Sequence, residues 1–292
     1  MTHKVLPLPP LRSLRLLCLL LGRDRTDLRR IATRAGAFYE PFDRRRTRGE
    51  GKWRHIDNPV GELKDIQSRI QRRILRRVSL PPTMIGGVAG RSIRDNARIH
   101  RRQPVLVTLD LRDCFPRTND EHVFEAYRRL QCSEDVASLL LKLTTLHHHL
   151  PQGAPTSSML ANLALLPIHD EIAAVATEFD LRWSFYVDDI ALSGSRAREA
   201  ITPVVDIIHR HGHSVHDVRV MSAGARHELT GTVPNRKISV GQSSPGSRHS
   251  RVYSRPRGAK GHSAEGVGPN QRADPSDRLD FKIAGGCAPK TR

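Results

Sequence analysis

Ser184-Phe185-Tyr186-Val187-Asp188-Asp189-Ile190-Ala191-Leu192-Ser193 consists of two apolar, β-prone runs joined by adjacent carboxylates, with an aromatic residue just before them. Such runs around a short polar link read as a β-hairpin, with both aspartates at its tip. Burying two like charges is costly unless cations neutralise them, so the tip is a candidate grip for a divalent metal. In isolation such a stretch is more commonly a solvated Asp-Asp turn. Its company upstream decides between the two.

Upstream, Val105-Leu106-Val107-Thr108-Leu109 reads as a buried strand ending in Asp110. A carboxylate there suits a metal, and it suits a helix cap as well. Beside the hairpin, Asp110, Asp188 and Asp189 would form a triad able to hold two Mg²⁺ ions about 3.5–4 Å apart. Hard oxygen donors suit magnesium, which also takes phosphate oxygens from a nucleotide. That is a phosphoryl-transfer site.

The rest of the chain divides by periodicity and punctuation. Residues 11–35 read as two short helices broken near Gly22, with Thr26 or Asp27 as the second cap. Residues 36–57 read as a mobile β-hairpin with a basic centre at 44–51. Leu63, Ile66, Ile70, Ile74 and Leu75 mark a helix over 61–78, and Pro81-Pro82 and Gly86-Gly87 mark a loop. Helices are predicted over 120–131, 134–147, from Gln152 to about Ala176, and over 196–211; short strands are predicted at 218–221 and 229–233. The three adjacent histidines His147, His148 and His149 read as a solvated polar patch.

Composition bounds the partner. The 292 residues carry a net charge of +18, and 40 of the 48 basic residues are arginine, whose planar fork suits phosphate. The favoured partner is nucleic acid, ahead of an acidic protein or an anionic membrane. Four scattered cysteines without a CxxC pair exclude a zinc finger or disulfide scaffold and fit a reducing cytoplasm. The apolar run over 14–21 contains Arg15 and is too short to span a bilayer, so no membrane is expected. Residues 241–292 hold five Val, Leu, Ile or Phe and a charge of +6; so little apolar side chain reads as a disordered basic tail.

Three of these stretches together resemble successive motifs of reverse transcriptases: Asp110-Leu111-Arg112-Asp113-Cys114-Phe115, Leu150 through Ser157 around Gln152-Gly153, and Tyr186-Val187-Asp188-Asp189. Lys52-Trp53-Arg54 resembles the fingers hairpin of that family, and Leu63-Lys64-Asp65-Ile66-Gln67 the helix after it. Asn96-Ala97-Arg98-Ile99-His100 and Leu229-Thr230-Gly231 resemble the NAxxH and VTG signatures of bacterial retron reverse transcriptases. The resemblance implies an α/β (α+β) right-hand polymerase core: an N-terminal helical segment over 1–35, then fingers and palm over 36–240, with a ferredoxin-like palm sheet.

It also implies roles. Asp110, Asp188 and Asp189 would be catalytic and, with the Leu111 carbonyl, metal-holding. Arg54, Phe115, Gln152 and Gly153 would bind the nucleotide, with Arg46 assisting. Phe115 would exclude a ribose 2′-hydroxyl, unless it is simply a core phenylalanine. Arg91, Asn96, His100, Thr230 and Gly231 would touch RNA or primer; the plainer alternative for Asn96 and His100 is a hydrogen-bonded helix start. The implied activity is an RNA-directed DNA polymerase that uses dNTPs and two Mg²⁺ ions on a structured noncoding RNA template to make DNA. It would act in the bacterial cytoplasm, in anti-phage defence beside an effector protein.

Two departures stand against full activity. His216-Asp217-Val218-Arg219-Val220-Met221 lacks the lysine the family places there as a proton donor, and arginine, with a pKa above about 12, is a poor substitute. The apolar thumb expected after Gly231 gives way to the polar tail, so the thumb reads as missing or degenerate, as in a frameshifted or truncated frame. A non-catalytic RNA-binding remnant and a group II intron-like reverse transcriptase therefore stay open as alternatives.

Overall fold

Ser13 and Gly22 bracket the first helix, α1 (Leu14–Leu21): the Ser13 hydroxyl accepts from the Leu16 amide, and Gly22 at φ 60° ends it. The next helix, α2 (Arg25–Thr33), is capped by Asp24, whose carboxylate accepts from the Asp27 amide at 2.8 Å. The cap falls earlier than Thr26 or Asp27 because only Asp24 is placed to reach the third helical amide. The structure is a computed structural model and describes residues 10–45, 53–222, 229–230, 232–233 and 239–240. The expected tail over 241–292, together with Arg46, Lys52 and Gly231, lies outside the described residues.

Strands β1 (Tyr39–Arg45) and β2 (Trp53–Pro59) pair antiparallel from Tyr39↔Pro59 to Arg45↔Trp53. Helix α3 (Gly61–Arg73) buries Leu63, Ile66 and Ile70 and sends Arg69 and Arg73 back to the Leu21 and Leu20 carbonyls, both at 2.7 Å. These arginines satisfy carbonyls left open at the end of α1. Next come α4 (Ile93–Ile99), β3 (Val105–Leu111), α5 (Cys114–Arg117), α6 (Asp120–Arg129) and α7 (Glu134–Thr144). The helix predicted after Gln152 is two, α8 (Ser157–Ala164) and α9 (Leu166–Glu178), bent by 53° at Leu165. Pro167, near the start of α9, lacks the amide that would continue the ladder, and its ring crowds the preceding turn. Among the described residues no single helix is long and apolar enough to cross a membrane.

Strands β4 (Arg182–Tyr186) and β5 (Asp189–Ser193), helix α10 (Ile201–Arg210) and strand β6 (Val215–Ser222) complete the central unit; β7 (Thr232–Val233) and β8 (Ser239–Val240) form a separate short pair. The sheet order is β4-β5-β3-β6, all antiparallel. With helices between β3 and β4 and between β5 and β6, this is the ferredoxin-like β-α-β-β-α-β arrangement. Alternation gives the sheet two faces. Val107, Leu109, Phe185, Ile190 and Leu192 point into the main core with the helices. Asp110, Asp189 and Asp217 lie side by side on the other face, because Asp110 is paired with Asp189 on one side and Asp217 on the other.

Two histidines are buried in this frame. His100 is held down to a pKa of about 3 by burial and then Arg182, and His213 to about 4 by burial and then its neighbours His122, Arg117 and His211. His213 stacks on His122 at 5.3 Å. Both favour the neutral ring when folded, while the unfolded chain binds protons near pH 6.5, so stability falls as pH drops below that value. Urea unfolding should show a loss of up to about 2 kcal/mol for each of these histidines between pH 7 and 5. His213→Gln should reduce that loss, and an acid limb identical to the parent's would contradict the assignment.

Candidate active site

The hairpin tip is a two-residue turn, Val187-Asp188, closed by the Tyr186↔Asp189 pair. Val187 has φ 59°, in the left-handed region that the first position of a tight hairpin turn needs and a β-branched residue resists. Such strain persists only where the surroundings enforce it, and two contacts do so. The Leu111 amide donates to the Asp188 carbonyl at 2.9 Å, tying the turn to β3. On the other side residues 83–86 run along β4: Phe185 donates to the Thr83 carbonyl, and Ile85 donates to the Phe185 carbonyl, both at 2.8 Å. Gly86 lies so close that a Cβ there would sit 2.6 Å from the Val187 nitrogen. Asn162 donates to the Gly86 carbonyl at 2.7 Å, and His169 meets the Thr83 hydroxyl at the same distance.

Asp189 is largely buried, and its carboxyl is pushed up to about 7, first by burial and then by Asp188 and Asp110. The Cys114 thiol below is pushed up to about 12, by burial and then by Asp188, which leaves it inert. Crowded like charge of this kind is what a divalent cation relieves. Among the described residues no three His, Cys, Asp or Glu side chains are grouped closely enough to hold an ion unaided. The carboxylate oxygens of Asp110, Asp188 and Asp189 are hard donors of the kind Mg²⁺ takes, and water or phosphate oxygens would have to complete its shell.

In front of the turn lies a cavity of about 570 Å³, lined by Asp110, Leu111, Asp188, Phe115, Arg54 and Gln152, among others. The fingers hairpin is tied to it at Asp57: the Asp57 amide donates to the Gln152 carbonyl at 2.8 Å, and the Gln152 amide to the Asp57 side-chain carboxylate at 3.1 Å. With its amide oriented to match donors and acceptors, Gln152 accepts from Arg54 Nη2 and Nε at 2.5 and 2.6 Å. Gly153 at φ 121° lets β2 approach; a Cβ would meet Ile56 at 2.7 Å. Its direct work is to seat the fingers hairpin.

The cavity also takes residues to which sequence reasoning gave no role: Trp53, Arg112, Asp113, Pro116 and His216. Arg112 and Asp113 stand within the quoted motif, so adjacency to Asp110 was an available signal. Trp53 and His216 also stand within quoted stretches, but it is the pairing of β6 with β3 that brings His216 to the cavity.

With this geometry, residues 44–222, more than half of the chain, match the family described as reverse transcriptase (RNA-dependent DNA polymerase). The chain belongs to the reverse transcriptase family. Relatives within that family include several retron reverse transcriptases. The Se72 retron reverse transcriptase of Salmonella heidelberg is 30% identical over 68% of this chain and 53% of its own length. The Mx162 enzyme of Myxococcus xanthus is 28% identical over 75% and 53%, and the Ec86 enzyme of Escherichia coli 30% over 66% and 62%. The chain thus spans about half to three-fifths of the length of these relatives. Among solved structures, telomerase from Candida albicans in complex with a telomeric RNA fragment is 10% identical, with a TM-score of 0.46 over 74% of this chain and 50% of that one.

In this family member the lysine-free segment is β6. Asp217 faces Asp110 across the sheet, and Arg219 Nε donates to its carboxylate at 2.6 Å. Arg91 is exposed at the approach to α4. Asn96 and His100 correct an expectation: they are buried, 1% and 0% exposed, and both ring nitrogens of His100 meet serine hydroxyls. No face of His100 is left for RNA. The plainer alternative, a hydrogen-bonded helix start, is not found either: Ser92 and Asp95 cap α4, and the Asn96 and His100 side chains bond to Ser184, Ser193 and Thr230. The three histidines are the polar surface patch expected, with His147 and His148 exposed, but they sit at a turn beyond the end of α7, His147 and His148 at positive φ and His148 bonded to Asp120 at 2.7 Å.

Proposed function

We propose that this chain is an RNA-directed DNA polymerase of the retron type, extending a primer hydroxyl on a structured noncoding RNA template with dNTPs. The observation that carries the reading is the single cavity bounded by the strained Asp188 turn, Asp110, the Arg54–Gln152 pair and Phe115. Arg54, held by Gln152, keeps further N–H groups for a triphosphate. Phe115, 9% exposed in the floor, supplies a rigid wall under the sugar. Asp110, Asp188 and Asp189 would hold two Mg²⁺ ions, with the Leu111 carbonyl assisting; metal bound there would lower the pKa of the attacking hydroxyl and stabilise charge on the leaving pyrophosphate. Arg219, committed to Asp217, stabilises charge better than it gives up a proton.

Within the same proposal, residues 36–240 are fingers and palm, the exposed Arg91 meets template or primer phosphate, and the protein works in the bacterial cytoplasm, in anti-phage defence with an effector protein. Primer extension on an RNA template with Mg²⁺ tests the activity. No incorporation at high enzyme concentration would leave the non-catalytic RNA-binding reading in its place.

The wall makes a separate prediction. Phe115→Ala should raise ribonucleotide relative to deoxyribonucleotide incorporation at least about tenfold, by removing the clash with the 2′-hydroxyl. Because the readout is a ratio within one preparation, partial loss of folded protein does not change it. An unchanged ratio would mean that Phe115 serves the core alone.

A further inference from the structure

Behind the carboxylates, the open face of the palm sheet is roofed by α4 and by Leu229, which is 1% exposed and packs on Leu106 and Ala191. Under this roof runs a chain of side-chain hydrogen bonds whose direction can be derived. The Ser184 hydroxyl donates to Asn96 Oδ1 at 2.6 Å, which uses its only proton. At its 2.8 Å contact with His100 Nε2, Ser184 must therefore accept, and the ring carries its proton on Nε2. His100 Nδ1 is then the acceptor, and Ser193 donates to it at 2.7 Å. At the far end Asn96 Nδ2 donates to the Thr230 hydroxyl at 3.3 Å.

The chain thus runs Ser193, His100, Ser184, Asn96, Thr230, each link with one donor and one acceptor. Ser184 stands on β4 and Ser193 on β5, the two strands whose turn carries Asp188. Thr230, at φ 44°, is a β-branched residue in the left-handed region, as is Val187 in the turn itself. Strained backbone therefore occurs at Thr230 and at the hairpin tip, and each needs its surroundings to hold it.

We infer that Asn96, His100, Ser184, Ser193 and Thr230 form one positioning relay, through which the seating of residues 229–230 against α4 sets the alignment of the Asp188-Asp189 hairpin. The relay touches no substrate; it acts through the strands that hold the carboxylates. A fully satisfied buried network behaves as a unit, and loss of one member loosens the rest. Whatever binds the segment around Thr230 therefore changes the precision of the hairpin.

The kinetic arm of the test rests on the polymerase reading; the exchange arm does not. In the full chain, Thr230→Val keeps shape and removes the terminal hydroxyl. Deuterium uptake over residues 182–193 should rise several-fold while that of α3 and α7 stays at the parent level. In primer extension kcat should fall roughly tenfold, with KM for dNTP within about twofold, since misalignment rather than binding is lost. Thr230→Ser, which keeps the hydroxyl, should restore both. Ser193→Ala should act alike, and the double variant should lose less than the product of the two single effects. Unchanged uptake at 182–193, failure of serine to rescue, or independent effects at Ser193 and Thr230 would each overturn the relay. A parent protein that polymerises nothing would refute the proposed activity, and the exchange measurement would still decide the relay.

Discussion

Asp188→Asn is expected to lower primer extension by roughly 10³-fold or more while leaving the melting temperature unchanged or raised. The substitution is nearly isosteric. Asp188 contributes its backbone carbonyl to the bond with the Leu111 amide, which asparagine retains. What it loses is a charge beside Asp189, whose carboxyl is already pushed up to about 7 by burial and by Asp188 and Asp110. Removing that charge relieves repulsion in the folded state, so function and stability should move in opposite directions, as at other strained sites. The measurement pairs primer extension with thermal unfolding on the same preparation. Retention of more than a tenth of the parent rate would place the chemistry elsewhere. A fall in melting temperature that matched the lost activity would mean that Asp188 acts through folding.

The second large effect is expected at Gly86, far from Asp188 in sequence. An alanine Cβ would lie 2.6 Å from the Val187 nitrogen and 2.7 Å from the Tyr186 carbonyl carbon, both backbone atoms that cannot swing aside. Either the loop lifts off β4, breaking the bonds through Thr83 and Ile85, or the turn moves and carries Asp188 with it. Displacements of about 1 Å at a reacting centre cost on the order of 10²-fold in rate. Gly86→Ala should therefore lower kcat by about 10²-fold with a smaller change in KM for dNTP. Gly36→Ala, where a Cβ meets nothing within 4 Å, is the matched control and should behave as the parent. Equal activity in the two variants would remove Gly86 from the support of the turn.

Much of the site could be read residue by residue. The apolar runs around Asp110 and around the Asp188-Asp189 pair became strands as predicted, because β-branched and apolar residues on a two-residue period allow few other burials. Gln152, Arg54 and Phe115, which the family resemblance assigns to the nucleotide, line one cavity with Asp110 and Asp188. What failed locally did so for identifiable reasons. Pro167 split a helix that apolar spacing alone had joined. Asn96 and His100 are polar residues on a short helix, and nothing in their own neighbourhood distinguishes a surface contact from a buried relay. Their partners Ser184, Ser193 and Thr230 lie 84, 93 and 134 residues away.

By itself, then, the sequence determined the chemistry: which residues carry carboxylate, guanidinium and ring, and which runs must become strands. These properties reside in single residues and short periods, and they are enough to identify a reverse transcriptase palm. Only the tertiary structure decided what stands beside what. Pairing β3 with both β5 and β6 sets Asp110 between Asp189 and Asp217, and the close approach of Gly86 braces the turn. Strand register and buried hydrogen-bond partners are choices between distant segments, made by the packing of the whole core, and no local pattern encodes them. The carboxylate pair could be recognised as a candidate from ten residues; the relay and the glycine that hold it in place required the fold.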